Sequence, residues 1–312
     1  MDKVRLGRTN VEVSAVGLGC GGHSRLGLAK GMNNEHAANV VRAALDMGVT
    51  FVDTARAYGT EEAVGMGLKG RRDKVFLSTK STAGRPGEGV SAEALTENLE
   101  ASLKRLGTDH VDVFHLHGVQ AGLYDHCVNV LLPEMKRQQE KGKIRFLGIT
   151  EQFGGDTNHT MLQRALPDAH FDIVMIGFNF LNPSARKTVF PLTLKHDIGT
   201  LIMFAVRRAI SQPDALKALV ADLVAKGELS AGAVNKNDPL DFVREAPGVK
   251  SEIEAAYRFC RHEPGAEVIL TGTSSVDHLK ENIAAILAPK LPASLLGRLE
   301  SVFGEVDSVS GN

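Results

Sequence analysis

The chain has 312 residues, 36 basic and 37 acidic, for a formal net charge of -1, with 43% hydrophobic and 23% charged side chains. That balance buries a large core without a metal or disulfide, and the lack of long single-sign blocks excludes the electrostatic footprint of a nucleic-acid or anionic-membrane binder. Cys20, Cys127 and Cys260 are far apart and odd in number, against a disulfide scaffold or thiolate zinc site, and no apolar signal core or run of ~18 apolar residues is present, so a cytoplasmic protein without membrane partners is expected.

In chain order, VRLGRTNVEVS alternates about a polar turn and predicts a short N-terminal β-hairpin. Short apolar runs then recur at 15–20, 49–54, 74–80, 111–117, 144–150, 171–178, 199–206 and 267–272. Between them, stretches such as NEHAANVVRAALDMG, SAEALTENLEASLKRLG and NVLLPEMKRQQEKGK carry apolar positions three and four apart, with Gly or Lys near their ends, as amphipathic helices do. Strands nearly continuous in hydrophobicity and alternating with helices predict an α/β fold, a closed (β/α)8 TIM barrel. No linker divides the series, so residues 1–312 are expected to form a single domain. The segment between the seventh and eighth runs is long, with helical patterns at 213–225 and 251–262, and reads as an insertion on the working face.

Two G-x-G-x-x-G matches, Gly17 to Gly22 and Gly65 to Gly70, lack the strand-to-helix context of a dinucleotide fingerprint and read as tight-turn glycines or chance among 32 glycines. His115 and His117, two apart on a strand, face the same way and could chelate a metal. A barrel metallohydrolase would need further ligands, yet strands five to eight end in Thr150, Phe178, Val206 and Gly272. No metal is therefore expected, and His115 reads as an inward packing neighbour.

Strand C-termini of such a barrel open on one face, which brings together Asp53 at the end of the second strand, Lys80 of the third, His117 of the fourth, and Tyr58 just past the second. Burying a lysine and an aspartate at a barrel mouth is costly unless they pair. Pairing them beside a phenol has a chemical purpose: the ammonium stabilises a phenolate, so Tyr58 can give and take a proton, while Asp53 keeps Lys80 charged and His117 orients the reacting oxygen.

With those residues in place, the chain resembles the aldo-keto reductase family over nearly its whole length. GVTFVDTARAYGTEEAVG, VFLSTKS, DVFHLHGV, KGKIRFLGI and ILTGTSSVDHLKENIAA are similar to the family's strand-two, lysine, histidine, strand-five and cofactor-binding motifs. The resemblance implies Asp53, Tyr58, Lys80 and His117 as a catalytic tetrad, and an extended nicotinamide cofactor, NADP with NAD as the second option, bound without a Rossmann domain. It places Thr150-Glu151 where the family has Ser-Asn, Met175 in place of a carboxamide-binding glutamine, and Phe204-Ala205 in place of an aromatic-Ser, Phe204 remaining able to stack on the nicotinamide. Gly272 and His278 stand where a lysine and an arginine usually hold the 2'-phosphate, leaving Thr273, Ser274 and Ser275 at a helix N-terminus, with Asn282 beyond, to meet the cofactor without a strong side-chain charge. Arg207 and Arg208 are expected either on the pyrophosphate or as surface charges. Substrate contacts are expected from His23 and Leu26, from Val119, Leu123 and Tyr124, and from the insertion, with a small aldehyde, sugar or alicyclic ketone as substrate. Two alternatives stay open: a metal-dependent hydrolase using His115 and His117, and a non-catalytic barrel that binds the cofactor.

Overall fold

Runs that are apolar on both faces need partners on both faces, and a closed sheet wrapped by helices supplies them. The computed structural model describes residues 1–312. Eight parallel strands close in chain order: β1 (Val16–Gly19), β2 (Phe51–Asp53), β3 (Phe76–Thr82), β4 (Val111–Val119), β5 (Ile144–Glu151), β6 (Ile173–Gly177), β7 (Gly199–Met203) and β8 (Val268–Thr271). β8 returns to β1 with Ile269 opposite Val16 and Thr271 opposite Leu18, so no edge is left open. The insertion holds the helices Pro213–Ala225 and Glu252–Arg261, as the periodicity predicts. No helix is long and apolar enough to cross a membrane.

Alternation along each strand divides the side chains between the barrel interior and the helix layer. Phe51, Phe76, Val113, Ile173, Met175, Leu201 and Val268 point inward, and Leu6 and Val13 join that interior cluster from below. Leu6 follows the first strand and Val13 lies within the second strand of the N-terminal hairpin, Lys3–Arg5 paired antiparallel with Glu12–Ser14, which is therefore the plug of the barrel floor. Arg8 fastens the plug by donating to Asp172 at 3.1 Å and to the Phe171 carbonyl at 2.8 Å. The opposite residues of the same strands, such as Val52, Leu77, Phe114, Leu147 and Ile149, belong to the larger core under the helices.

Helix starts follow the local chemistry: the side chains of Asn33, Ser91, Ser251 and Ser275 each accept from a backbone N–H in the first turn. Gly65 and Gly67 of the second glycine motif lie inside the helix Glu61–Leu68, and Gly70 lies past its end with φ 75°. A Cβ at Gly65 would stand 2.5 Å from the Leu106 carbonyl oxygen and one at Gly67 2.6 Å from Val41, so these two glycines serve close helix packing.

Three strands run past their sequence limits, β5 to Glu151. β3 continues to Thr82 and β4 to Val119, because Thr82 still pairs with His117. Register slips between Leu116 and Val119, where Gly118 takes φ 60°. Only glycine adopts that backbone without strain, and the slip decides where Val119 points.

Candidate active site

Asp53 shares the parity of Phe51, Lys80 that of Phe76, and His117 that of Val113, so all three side chains enter the barrel from above its apolar filling. Lys80 is fully buried and Asp53 nearly so. The ammonium donates to both carboxylate oxygens at 2.6 Å and to the Thr54 carbonyl at 2.8 Å, while Ser78 Oγ donates to Asp53 at 2.7 Å. Burial opposes the Lys80 charge, but Asp53 and the Tyr58 oxygen outweigh it and hold the amine above its ordinary value.

Tyr58 reaches the same point from the short helical turn Arg56–Tyr58. Lys80 Nζ lies 4.9 Å from its ring centre, and its hydroxyl stands 3.4 Å from His117 Nε2. Burial pushes the phenol above its ordinary value and Lys80 draws it back only in part, so the ligand-free site favours the protonated donor. His117 is pulled down to about 3, by burial first and by Lys80 second, and is a neutral imidazole at physiological pH. A neutral imidazole, a phenol and a buried ammonium can together receive a carbonyl oxygen, polarise it and protonate it.

Of these groups Tyr58 and Asp53 line a cavity of 780 Å³, together with Met175, Phe204 and residues of the loops after β1, β7 and β8, while Lys80 and His117 stand behind that lining. Gly19, Gly21 and Gly22 of the first glycine motif line it too. A Cβ on Gly21 would meet the Tyr58 ring at 2.7 Å, so the glycine there admits the tyrosine rather than a phosphate. Phe204 holds φ at 68°, a backbone conformation rare for an aromatic residue, while Asn179 donates to its carbonyl at 3.2 Å. The Arg207 guanidinium lies 4.0 Å from the Phe204 ring centre and covers one face of it.

The remaining residues expected at the cofactor divide into two sets. Arg208, Gly272, Thr273, Ser274, His278 and Asn282 all line the cavity. Ser275 caps the helix Val276–Ile286 by accepting from the His278 N–H, and Asn282 donates to Thr271 Oγ1 at 2.9 Å. Sequence reasoning leaves out Lys30 and Lys250, which stand in the same wall, Lys30 Nζ at 3.4 Å from Ser274 Oγ. These two cations come from the loop after β1 and from the insertion.

Thr150 and Glu151, by contrast, do not line the cavity. Thr150 Oγ1 accepts from the Gly118 N–H at 2.7 Å. Glu151 has the parity of Leu147 and Ile149 and so faces the helix layer. Its buried carboxylate accepts from His159 Nδ1 at 2.9 Å and from the Gly177 N–H at 2.7 Å. His159 stacks on Phe153 with 5.3 Å between centres, and Phe153 meets Phe204 edge to face at 5.4 Å. A Cβ on Gly177 would lie 2.1 Å from the Phe153 ring, so that glycine makes room for the aromatic column beneath Phe204.

Of the expected substrate contacts His23 lines the cavity, as does the insertion through Lys250, Ser251, Ile253, Glu254 and Tyr257. Leu26, Val119, Leu123 and Tyr124 are buried in the core. Leu26 is turned under its loop by φ 58°, Val119 is swung outward by the register slip, and the Tyr124 hydroxyl donates to Asp168 at 2.8 Å. His115 is fully buried with neither ring nitrogen hydrogen-bonded, its ring filling the space of the side chain that Gly148 lacks. No group of three or more His, Cys, Asp or Glu side chains is arranged to hold a metal.

Comparison with known proteins agrees with the fold. Residues 16–303 match the model of the Aldo/keto reductase family. L-galactose dehydrogenase of Arabidopsis thaliana is 26% identical over 97% of this chain and 92% of its own length. The holo form of an aldo-keto reductase from Bacillus halodurans is 25% identical and superposes with a TM-score of 0.72 over 96% of each chain. An aldo-keto reductase from Klebsiella pneumoniae, solved with NADPH, shares the fold at 23% identity and a TM-score of 0.68, covering 97% of this chain and 96% of its own. The chain belongs to the aldo/keto reductase family, oxidoreductases that work between a carbonyl and its alcohol.

Proposed function

We propose that this protein transfers a hydride reversibly between NADP(H) and the carbonyl carbon of a small aldehyde, sugar or alicyclic ketone, with Tyr58 as the acid in reduction and the base in oxidation. The observation that carries this reading is the buried Asp53–Lys80 pair set against Tyr58, since an ion pair without solvent is retained at a barrel mouth only with difficulty unless its field is used. When bound, the nicotinamide ring supplies or takes the hydride.

The residues present fit such a dinucleotide. The cavity volume lies in the usual range of small-molecule sites, and the Ser275-capped helix offers backbone N–H groups to a phosphate beside Lys30. During reduction Tyr58 Oη delivers a proton to the substrate oxygen, and the phenolate left behind is stabilised by Lys80. Asp53 keeps Lys80 charged throughout. Neutral His117 donates a hydrogen bond to the substrate oxygen without competing for its proton. Met175 and Phe204 form apolar walls that exclude water from the reacting carbon.

The test is NADPH carrying deuterium at C4 of the nicotinamide, offered with a panel of aldehydes and ketones. Deuterium on the carbinol carbon of the product supports the reading. No turnover with the whole panel, or deuterium recovered only in solvent, would overturn it.

A further inference from the structure

Four lysine and arginine side chains line the cavity: Lys30, Arg207, Arg208 and Lys250. Lys30 sits at Ser274 beside the helix N-terminus, whereas Arg207 sits at Phe204, on the Tyr58 side. Arg208, the next residue, is exposed and donates to Gln212 at 3.1 Å.

Arg207 is half-buried and has no carboxylate partner anywhere in the chain; its one hydrogen bond runs from Nε to Asn312 Oδ1 at 2.7 Å. Both terminal nitrogens are left for something outside the protein. Burial draws the guanidinium below its ordinary value, and the Tyr58 oxygen is the one acidic group close enough to offset this. The side chain is also held in place. Asn182 donates to the Val309 carbonyl at 2.8 Å, Asn179 donates to the Ser310 carbonyl at 3.3 Å, and the Ala209 N–H donates to the Gly311 carbonyl at 2.9 Å. Both asparagines are fully buried. The segment Val309–Asn312 is thereby laid beside the Arg207 stem, with the guanidinium over the Phe204 ring. A cation fixed from two sides with its fork empty is preorganised for a planar or tetrahedral oxyanion.

We propose that Arg207 is a specificity-determining residue that binds an anionic group, carboxylate or phosphate, on the substrate itself, so that the preferred substrates are carbonyl compounds bearing one negative charge away from the reacting carbon. This rests on the hydride-transfer reading above and narrows its substrate class. The cofactor pyrophosphate offers the same oxyanion chemistry, and its place is an outcome of the test.

The experiment compares 4-carboxybenzaldehyde with benzaldehyde as substrates, and 4-(hydroxymethyl)benzoate with benzyl alcohol as ligands of the NADP complex, in wild type, Arg207→Met and Arg207→Lys. Wild type should favour the charged aldehyde in kcat/KM by about tenfold or more, the scale of one charge-assisted hydrogen bond. Arg207→Met should collapse that ratio through KM for the charged aldehyde, and Arg207→Lys should keep part of it. An unchanged ratio in Arg207→Met overturns the proposal. So does an equal loss on both aldehydes with a raised Kd for NADPH, which would give the arginine to the pyrophosphate. Should neither aldehyde turn over in wild type, calorimetric binding of the anionic ligand still decides: selective loss in Arg207→Met supports the subsite even if hydride transfer fails, and equal binding removes it.

Discussion

Lys80 is where the chemistry and the stability of this protein meet. Its ammonium is fully buried and satisfied by Asp53 and the Thr54 carbonyl. Removing it strands a buried carboxylate without its partner, so Lys80→Met is expected to lose about 3–5 kcal/mol of stability, read from urea midpoints. Adding Asp53→Asn to Lys80→Met removes the second charge and should recover much of that loss without restoring turnover. Recovery of turnover together with stability would show that Lys80 matters only as the partner of Asp53. The sequence expectation that Lys80 brings the phenol below its ordinary value holds in direction for that one contribution, but burial of Tyr58 exceeds it. Residue identity gave no measure of how deeply the ring sits.

At the scale of a strand, parity decides function. Asp53, Lys80 and His117 were legible because each occupies the inward parity near the C-terminal end of a strand whose lower residues are apolar. Val119 was not, because the slip after Leu116 reverses parity locally and its mark in the sequence is the single Gly118. Leu26 and Tyr124 were misplaced for a related reason: loop side-chain direction is set by φ at individual residues and by distant partners such as Asp168, which periodicity does not report. The same strand β4 carries His115, held well below its ordinary value by burial first and then by Lys80. Below about pH 6.5 the unfolded chain protonates this histidine and the folded chain does not, so its presence costs stability increasingly as pH falls. His115→Leu is therefore expected to gain on wild type as pH drops from 7 to 4.5, by up to about 1.4 kcal/mol per pH unit. Parallel stability curves for the two proteins would show that the folded barrel accepts a proton at this position.

Across the whole molecule, the barrel and its insertion divide the labour of the cavity. Strand ends and the turn after β2 supply Asp53, Lys80, His117 and Tyr58, while the loop after β1, the insertion and the helix Val276–Ile286 supply Lys30, Lys250, Arg208 and the capped N-terminus. No local sequence pattern links Lys30 to Ser274, 244 positions apart, which is why the fold was needed to find that pair. If Lys30 meets the 2'-phosphate, Lys30→Met lowers kcat/KM for NADPH more than for NADH, by about tenfold, the loss of one charge-assisted contact. Equal loss with both cofactors would assign it to a group they share. The central claim, however, is that Tyr58 moves the proton while the rest of the site holds it ready. The most direct measurement is turnover of Tyr58→Phe beside wild type under saturating NADPH, with the NADPH Kd determined for both. The account predicts a fall of at least about a hundredfold in kcat with Kd nearly unchanged, the loss expected on removing a general acid. Near-wild-type turnover in Tyr58→Phe, with the cofactor still bound, would contradict it.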